Sequence, residues 1–299
     1  MNIQRLTQRA AIIQAVRSFF IGQDYLEVET PIRLPALIPE AHLEPLTSHS
    51  WFLQCSPEQC MKRLLAAGVP RLFQICKCFR ARERGRRHLP EFTMLEWYRL
   101  AGDYNDLMEE TTALLQAVAG QCRAKGGYDD RVIALLEQER WQRLTVAEAF
   151  ERHAPMPAAQ ALAQACFDEV LVEHVEPCLG LERPCFLCDY PVALGSLARV
   201  KADNAQVVER FELYLQGVEL ANGFSELTDA QEQERRFRQE ASIARGQGVS
   251  FGPAPRNFLA DLAMIDTACG IALGMDRLVM LLTGAATIDE VVSFTPETL

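Results

Sequence analysis

Apolar residues recur along this chain at two spacings, and together they assign most of its elements. Helical spacing runs from about Arg5 to Ile21, with Arg5, Arg9 and Arg17 interleaved among apolar positions, and stops at Gly22. DYLEVETPIRL then alternates Leu26 and Val28 against Glu27 and Glu29 before Pro31, the pattern of a short strand closed by proline. SWFLQCSPEQCMKRLLAAG predicts a strand feeding a helix, with Ser56 as N-cap and Pro57 at the first helical position. RLFQICKCFR (71–80) and EFTMLEWYRL (91–100) are extended runs around a polar loop, and the simplest topology pairs them antiparallel.

Further on, Tyr104–Ala124 reads as a second long helix, and about 141–180 as a helix-rich insertion without site-like polar clusters. RFELYLQGVELANGFSEL gives two strand-like runs broken at Gln216-Gly217, and Ala230–Arg245 a charged, exposed helix. GIALGMDRLVMLLTG passes from a glycine-rich strand directly into an apolar helix stopped by Gly284. Strands that neighbour one another in sequence as antiparallel pairs predict an α+β fold, a mainly antiparallel sheet flanked by helices.

Composition narrows the class. The chain has 299 residues, 49% hydrophobic and 23% charged, enough for a sizeable core. No apolar run reaches the roughly 18–20 residues of a membrane helix, and the N-terminal pattern is amphipathic rather than signal-like, so a cytoplasmic protein without membrane association is expected. Ten cysteines include one CxxC, Cys185 and Cys188, with no second pair or nearby histidine, which favours reduced, buried thiols over zinc. A formal charge of −10 disfavours general nucleic-acid binding. P-loop, HExxH and GxSxG motifs are absent, and GQGVSFG (Gly246–Gly252) follows a helix and reads as a loop.

Against that acidic background, FRARERGRRHLPEF (79–92) gathers Arg80, Arg82, Arg84, Arg86 and Arg87. Alternation places Arg80 on the face of Gln74, Cys76 and Cys78, and Phe92, Met94, Glu96 and Tyr98 on one face of the returning strand. A strand-held guanidinium is a rigid fork for phosphate or carboxylate; the alternative is an exposed, charged hairpin tip. Arg277, in the first turn of a helix beside Gly270 and Gly274, favours the first, because two separated arginines can grip a triphosphate at both ends. Glu212, Glu219 and Glu226 recur every seven residues with Asn222 and Phe224 between them. If the Gln216-Gly217 turn resets the register, Glu212 and Glu219 approach as a magnesium pair facing phosphates; otherwise they are a solvated row of acids.

These blocks resemble, in order, the three motifs of the class II aminoacyl-tRNA synthetases: DYLEVETP motif 1, FR…RHLPEFTMLEWY motif 2 and GIALGMDRL motif 3. The resemblance covers nearly the whole chain, read as one catalytic domain (1–299) with the insertion at about 141–180, and is greatest to lysyl-tRNA synthetases. Among these it is similar to the short paralogues that ligate (R)-β-lysine to elongation factor P. The sequence begins almost at motif 1, leaving no room for an anticodon-reading OB barrel, and Ala272 stands where synthetases usually carry a motif 3 glycine.

The resemblance implies an ATP- and Mg2+-dependent ligase. It would form an aminoacyl-adenylate from (R)-β-lysine or lysine and pass it to a lysine of elongation factor P. A homodimer built on motif 1 and no tRNA partner are expected. Arg80 would bind the α-phosphate and the substrate carboxylate, Arg277 the γ-phosphate, and Phe92 would stack on adenine. His88, Leu220 and Gly274 would lie near the nucleotide, and Glu212 and Glu219 would hold magnesium. Ser56, Pro57 and Glu58 would meet the substrate amino group, and Glu96, Tyr98, Asn222, Phe224, Glu226 and Ala272 would line the side-chain ammonium pocket. Two ATP positions depart from the pattern. FRxE becomes Arg82, with Glu83 one residue later, and RHNPEF carries Leu89 for asparagine. An adenine contact through Glu83 or backbone groups would compensate. The alternatives are a truncated lysyl-tRNA synthetase charging RNA, a ligase acting on a small amine, and a catalytically silent regulator.

Overall fold

The computed structural model describes residues 2–41 and 43–299. Among them, eight strands run in the order Leu26–Glu27, Arg71–Phe79, Glu91–Leu100, Ala268–Gly274, Val218–Ser225, Asn204–Leu215, Cys185–Pro191 and Gln142–Thr145, and Val200–Lys201 pairs beside Asn204–Leu215. Every junction is antiparallel except the two outermost, where the first and last of these strands pair parallel. The α+β expectation holds: the sheet is mixed, its helices are flanking, and the described residues form no closed barrel.

Alternation divides the sheet into a packed face and an open face. Phe73, Leu95, Trp97, Ile271 and Leu273 are buried against the helices Ile3–Gly22 and Tyr104–Lys125, which supply Ile12, Val16, Phe20, Leu107 and Leu114 to the same core. Asn2 and Asp103 cap these helices with side-chain oxygens, and Asp103 and Asp106 complete a capping box. The intervening residues, among them Gln74, Met94, Glu96, Asn222 and Ala272, point to the opposite face, where the cleft lies.

Several elements differ in detail from expectation. Leu26 is 54% exposed, because its two-residue strand sits at the sheet edge and Tyr25 takes the buried place. The 141–180 segment opens with the strand Gln142–Thr145 rather than a helix. Its helices Val146–His153 and Ala158–Ala163 share one apolar cluster with Leu187, Tyr190 and Tyr214 of the sheet. All ten cysteines are free, and burial pushes the Cys185 and Cys188 thiols up to about 12, the behaviour of inert core residues. No described helix is long and apolar enough to cross a membrane.

Candidate active site

The Arg71–Phe79/Glu91–Leu100 hairpin delivers Arg80. Its N–H donates to the Pro90 carbonyl at 2.9 Å, and its guanidinium lies 5.2 Å from the centre of the Phe92 ring. Glu83 stands 3.5 Å away, and the buried Nε has no partner among the described residues. Burial opposes the Arg80 charge, but Glu83 and Glu40 outweigh it and its pKa is held above the ordinary value. A charged, partly exposed guanidinium lining the cleft is a donor prepared for an anion.

Arg277 reaches the same cleft, of about 250 Å³, from the first turn of the helix Met275–Leu282. Its Nη1 donates to the Glu219 carbonyl at 2.8 Å and to the Glu219 carboxylate at 3.1 Å, and Nη2 meets His88 Nε2 at 2.6 Å. An imidazole nitrogen facing a guanidinium must accept, so the ring is neutral with its proton on Nδ1. Burial and then the Arg277 charge lower the His88 pKa, in agreement. The two arginines, distant in sequence, therefore converge on one cavity, Arg277 rigidly held and Arg80 partly free.

Gln216 and Gly217 both adopt positive φ, 52° and 67°, closing the expected hairpin as a two-residue turn of the type that matches strand twist. The turn pairs Tyr214 with Glu219, and since Tyr214 and Glu212 lie two apart on their strand both glutamates face the cleft; a bulge between Leu213 and Tyr214 then brings Asn222 opposite Glu212. Glu212 accepts from the Tyr190 and Tyr214 hydroxyls, each at 2.6 Å, and from Arg210 at 2.7 Å. Its pKa is raised, chiefly by burial, with Arg210 opposing and Glu219 adding to the rise. Among the described residues no three metal-ligating side chains come together. The donor set suits a divalent ion that brings its own phosphate and water oxygens to two carboxylates.

Beyond Arg80 the cleft continues into an acidic pocket. Glu96 accepts from Ser56 Oγ at 2.6 Å and Tyr98 OH at 2.8 Å, and burial, with Glu58 adding to it, lifts its pKa to about 8. Ser56 Oγ also takes the Glu58 N–H at 3.0 Å, but the helix Glu58–Ala66 begins one residue later than expected, so Pro57 rather than Ser56 stands at its N-cap. Ala272 pairs with Glu96 on one side and Asn222 on the other, which puts its methyl on the pocket floor. Phe224 forms a wall. Gly270 is required by Tyr98, whose ring would lie 2.1 Å from an added Cβ, rather than by a ligand.

The structure brings together Ser56, Glu58, Arg80, Glu83, His88, Leu89, Phe92, Glu96 and Tyr98 from the first half of the chain. It adds Glu212, Glu219, Leu220, Asn222, Phe224, Ala272, Gly274 and Arg277 from the second. Three expected residues stand apart. Pro57 does not reach the cavity wall, its ring being spent on starting the helix. Glu226 lies one layer behind the pocket, buried, with Oε1 lacking a donor. Arg82 turns outward: its φ of 62° reverses the chain, and its side chain, 83% exposed, pairs with Glu44 at 2.9 Å. Leu89, buried in the core, offers the cleft only apolar surface. Arg84 is committed to Asp289 and Glu297, whereas Arg87 lines the cleft.

Other site residues were missed. Lys62 is buried between Glu58 and Glu226; the Glu58…Lys62 spacing of four on a helix was the available signal. Arg210 donates to Asn222 and Glu212, two positions before the glutamate it orients. Glu40, in an apolar stretch without a motif, lines both halves of the cleft and carried no signal at all.

An antiparallel platform with one arginine on a hairpin, one on the helix after a glycine-rich strand and an acidic pocket between them defines a class II synthetase catalytic domain. The sequence profile of the tRNA synthetases class II (D, K and N) matches residues 2–298, and the chain belongs to this family. Among curated proteins it is similar to those named elongation factor P–(R)-beta-lysine ligase from Salmonella paratyphi B, Salmonella heidelberg and Salmonella enteritidis PT4. Each is 38% identical over 98% of this chain and 95% of the relative.

Proposed function

We propose that this protein is an ATP-dependent ligase that activates (R)-β-lysine, or lysine, as its adenylate and transfers it to a lysine side chain of elongation factor P. The observation that carries the reading is the convergence of the Arg80 and Arg277 guanidiniums, from opposite halves of the chain, on one cavity. Phosphates lie between the two guanidiniums and adenine against Phe92. The amino-acid carboxylate meets Arg80, whose charge offsets the repulsion between carboxylate and α-phosphate as they approach in line. Magnesium, held by Glu212 and Glu219, would supply further charge neutralisation on the phosphates.

The acidic pocket fits the other end of the substrate. Glu58 and Glu96 in the pocket and Glu226 one layer behind it, against one lysine, Lys62, leave two formal negative charges, the complement of two ammonium groups. Glu83 lines the cleft where Arg82 does not, and takes the adenine-facing role that the family gives to the residue before it. The family pattern further supports a cytoplasmic homodimer with no tRNA acceptor; exposed Ile21, Leu26 and Ile32 beside motif 1 suit an apolar contact between copies.

Amino-acid-dependent exchange of pyrophosphate into ATP tests the reading. Exchange with (R)-β-lysine, followed by amide formation on elongation factor P, is expected. Absence of exchange with every amino acid of a panel would return the protein to the catalytically silent alternative.

A further inference from the structure

Resting on that reading, the second half-reaction needs a group to receive a proton from the acceptor amine. We propose that Glu40 is this general base. The two halves of the cleft share a short boundary, and Glu40 lies on it together with Arg80, Met94, Arg210, Asn222 and Ala272. That boundary is where the α-phosphate and the amino-acid carboxylate must meet, because Arg80 serves both. Of these six, only Glu40 can accept a proton at neutral pH.

The other carboxylates of the cleft are engaged. Glu83 and Glu219 face Arg80 and Arg277, Glu58 faces Lys62, and Glu96 and Glu212 accept from hydroxyls. Asp276 pairs with Arg9 and takes the Thr93 N–H at 2.7 Å. Among the described residues, no side-chain hydrogen bond or ion pair engages the Glu40 carboxylate.

Its backbone is nevertheless fixed. The Ala41 N–H donates to Glu240 on the helix Ala230–Gly246 at 2.8 Å, and the Leu37 N–H donates to the Phe251 carbonyl at 3.0 Å. The GQGVSFG segment thus anchors the loop that carries the base. Burial lifts the Glu40 carboxyl to about 7; Arg80 and Arg210 pull it down while Glu58 and Glu240 push it up. A base poised near the working pH transfers protons most effectively.

The step balances as follows. The acceptor ammonium loses one proton to solvent on entering, and its neutral nitrogen attacks the adenylate carbonyl carbon. As the C–N bond forms, the nitrogen becomes cationic and gives its second proton to the Glu40 carboxylate. The bond between the carbonyl carbon and the phosphate oxygen breaks, and AMP leaves with the electron pair. Glu40 returns its proton to solvent after product release.

The test compares Glu40→Gln and Glu40→Ala with wild type in three assays: pyrophosphate exchange, trapping of the adenylate by hydroxylamine, and amide formation on elongation factor P. Hydroxylamine is already neutral at neutral pH and needs less help in shedding its proton. The expected result is a fall of about 100-fold or more in amide formation, with exchange and trapping reduced by less than a tenth of that factor. An equal loss in all three assays, or full amide formation in either variant, overturns the assignment of Glu40. Absence of exchange in the wild type instead overturns the ligase reading itself.

Discussion

Lys62 and Glu226 form an ion pair behind the acidic pocket, with side chains only 2% and 1% exposed. Burial opposes the lysine charge, yet Glu226 and Glu58 outweigh it and raise its pKa, so the ammonium is retained. Its position 5.2 Å from the Phe224 ring centre ties it to the pocket wall. Removing this cation strands two carboxylates in a dry site. Lys62→Met should therefore cost about 3–5 kcal/mol in urea unfolding, and adding Glu226→Gln should recover much of it. A loss under about 1 kcal/mol in the single variant would show the pair to be solvated.

In the proposed function Arg80 and Arg277 would meet the phosphates with different freedom, and the substitutions should differ accordingly. Arg80→Ala would remove the donor proposed to span both substrates and should lower exchange about 100- to 1000-fold; Arg80→Lys should restore little, because a single ammonium cannot reproduce the planar fork. Arg277→Ala also frees Glu219 and His88, so it should raise the KM for ATP as well as lower kcat. Steady-state exchange kinetics read both, and near-normal rates with Arg80→Lys would contradict bidentate recognition.

Glu83 lines the cleft while Arg82 faces solvent. Glu83→Ala should raise the KM for ATP about 10- to 100-fold, the worth of one hydrogen bond to a charged group. An unchanged KM would mean that adenine is read by backbone groups alone.

Substrate binding should release protons. Burial holds the Glu96 carboxyl at about 8, so in the empty pocket this group is largely protonated at pH 7. An incoming ammonium favours the ionised form, the carboxyl pKa falls, and a proton leaves. Affinity should therefore rise with pH up to about 8 and then level off. Calorimetry in buffers of different ionisation heat measures the release; heats independent of buffer would sink this account.

Gly270 leaves room for the Tyr98 ring, which would approach an added Cβ to 2.1 Å. Gly270→Ala must push Tyr98 away from Glu96 or bend the strand, at a cost of about 1–3 kcal/mol. Thermal unfolding and the KM for the amino acid should both worsen, and a variant as stable as wild type would show that the ring can move freely.

The sequence by itself determined the elements and two of the decisive side chains. Period-two runs fixed which residues of 71–80 and 91–100 share a face, Gln216-Gly217 announced a turn that needs positive φ, and a glycine-ended strand led into the helix that carries Arg277. These are local properties, set by sterics and alternation within a few residues. Only the tertiary structure decided the rest. Arg82 faces away because a single positive φ inverts the chain, which alternation along a strand does not encode. Asn222 joins Glu212 on the cleft face because of a register shift at Leu213/Tyr214, which spacing along the chain does not encode. Lys62 and Glu40 became site residues only when the helix Glu58–Ala66 and the loop before it folded over the sheet, bringing their charges beside carboxylates and arginines far away in the chain. The physical reason is that burial and long-range electrostatics, which set those charges and their roles, depend on neighbours that the linear order does not name.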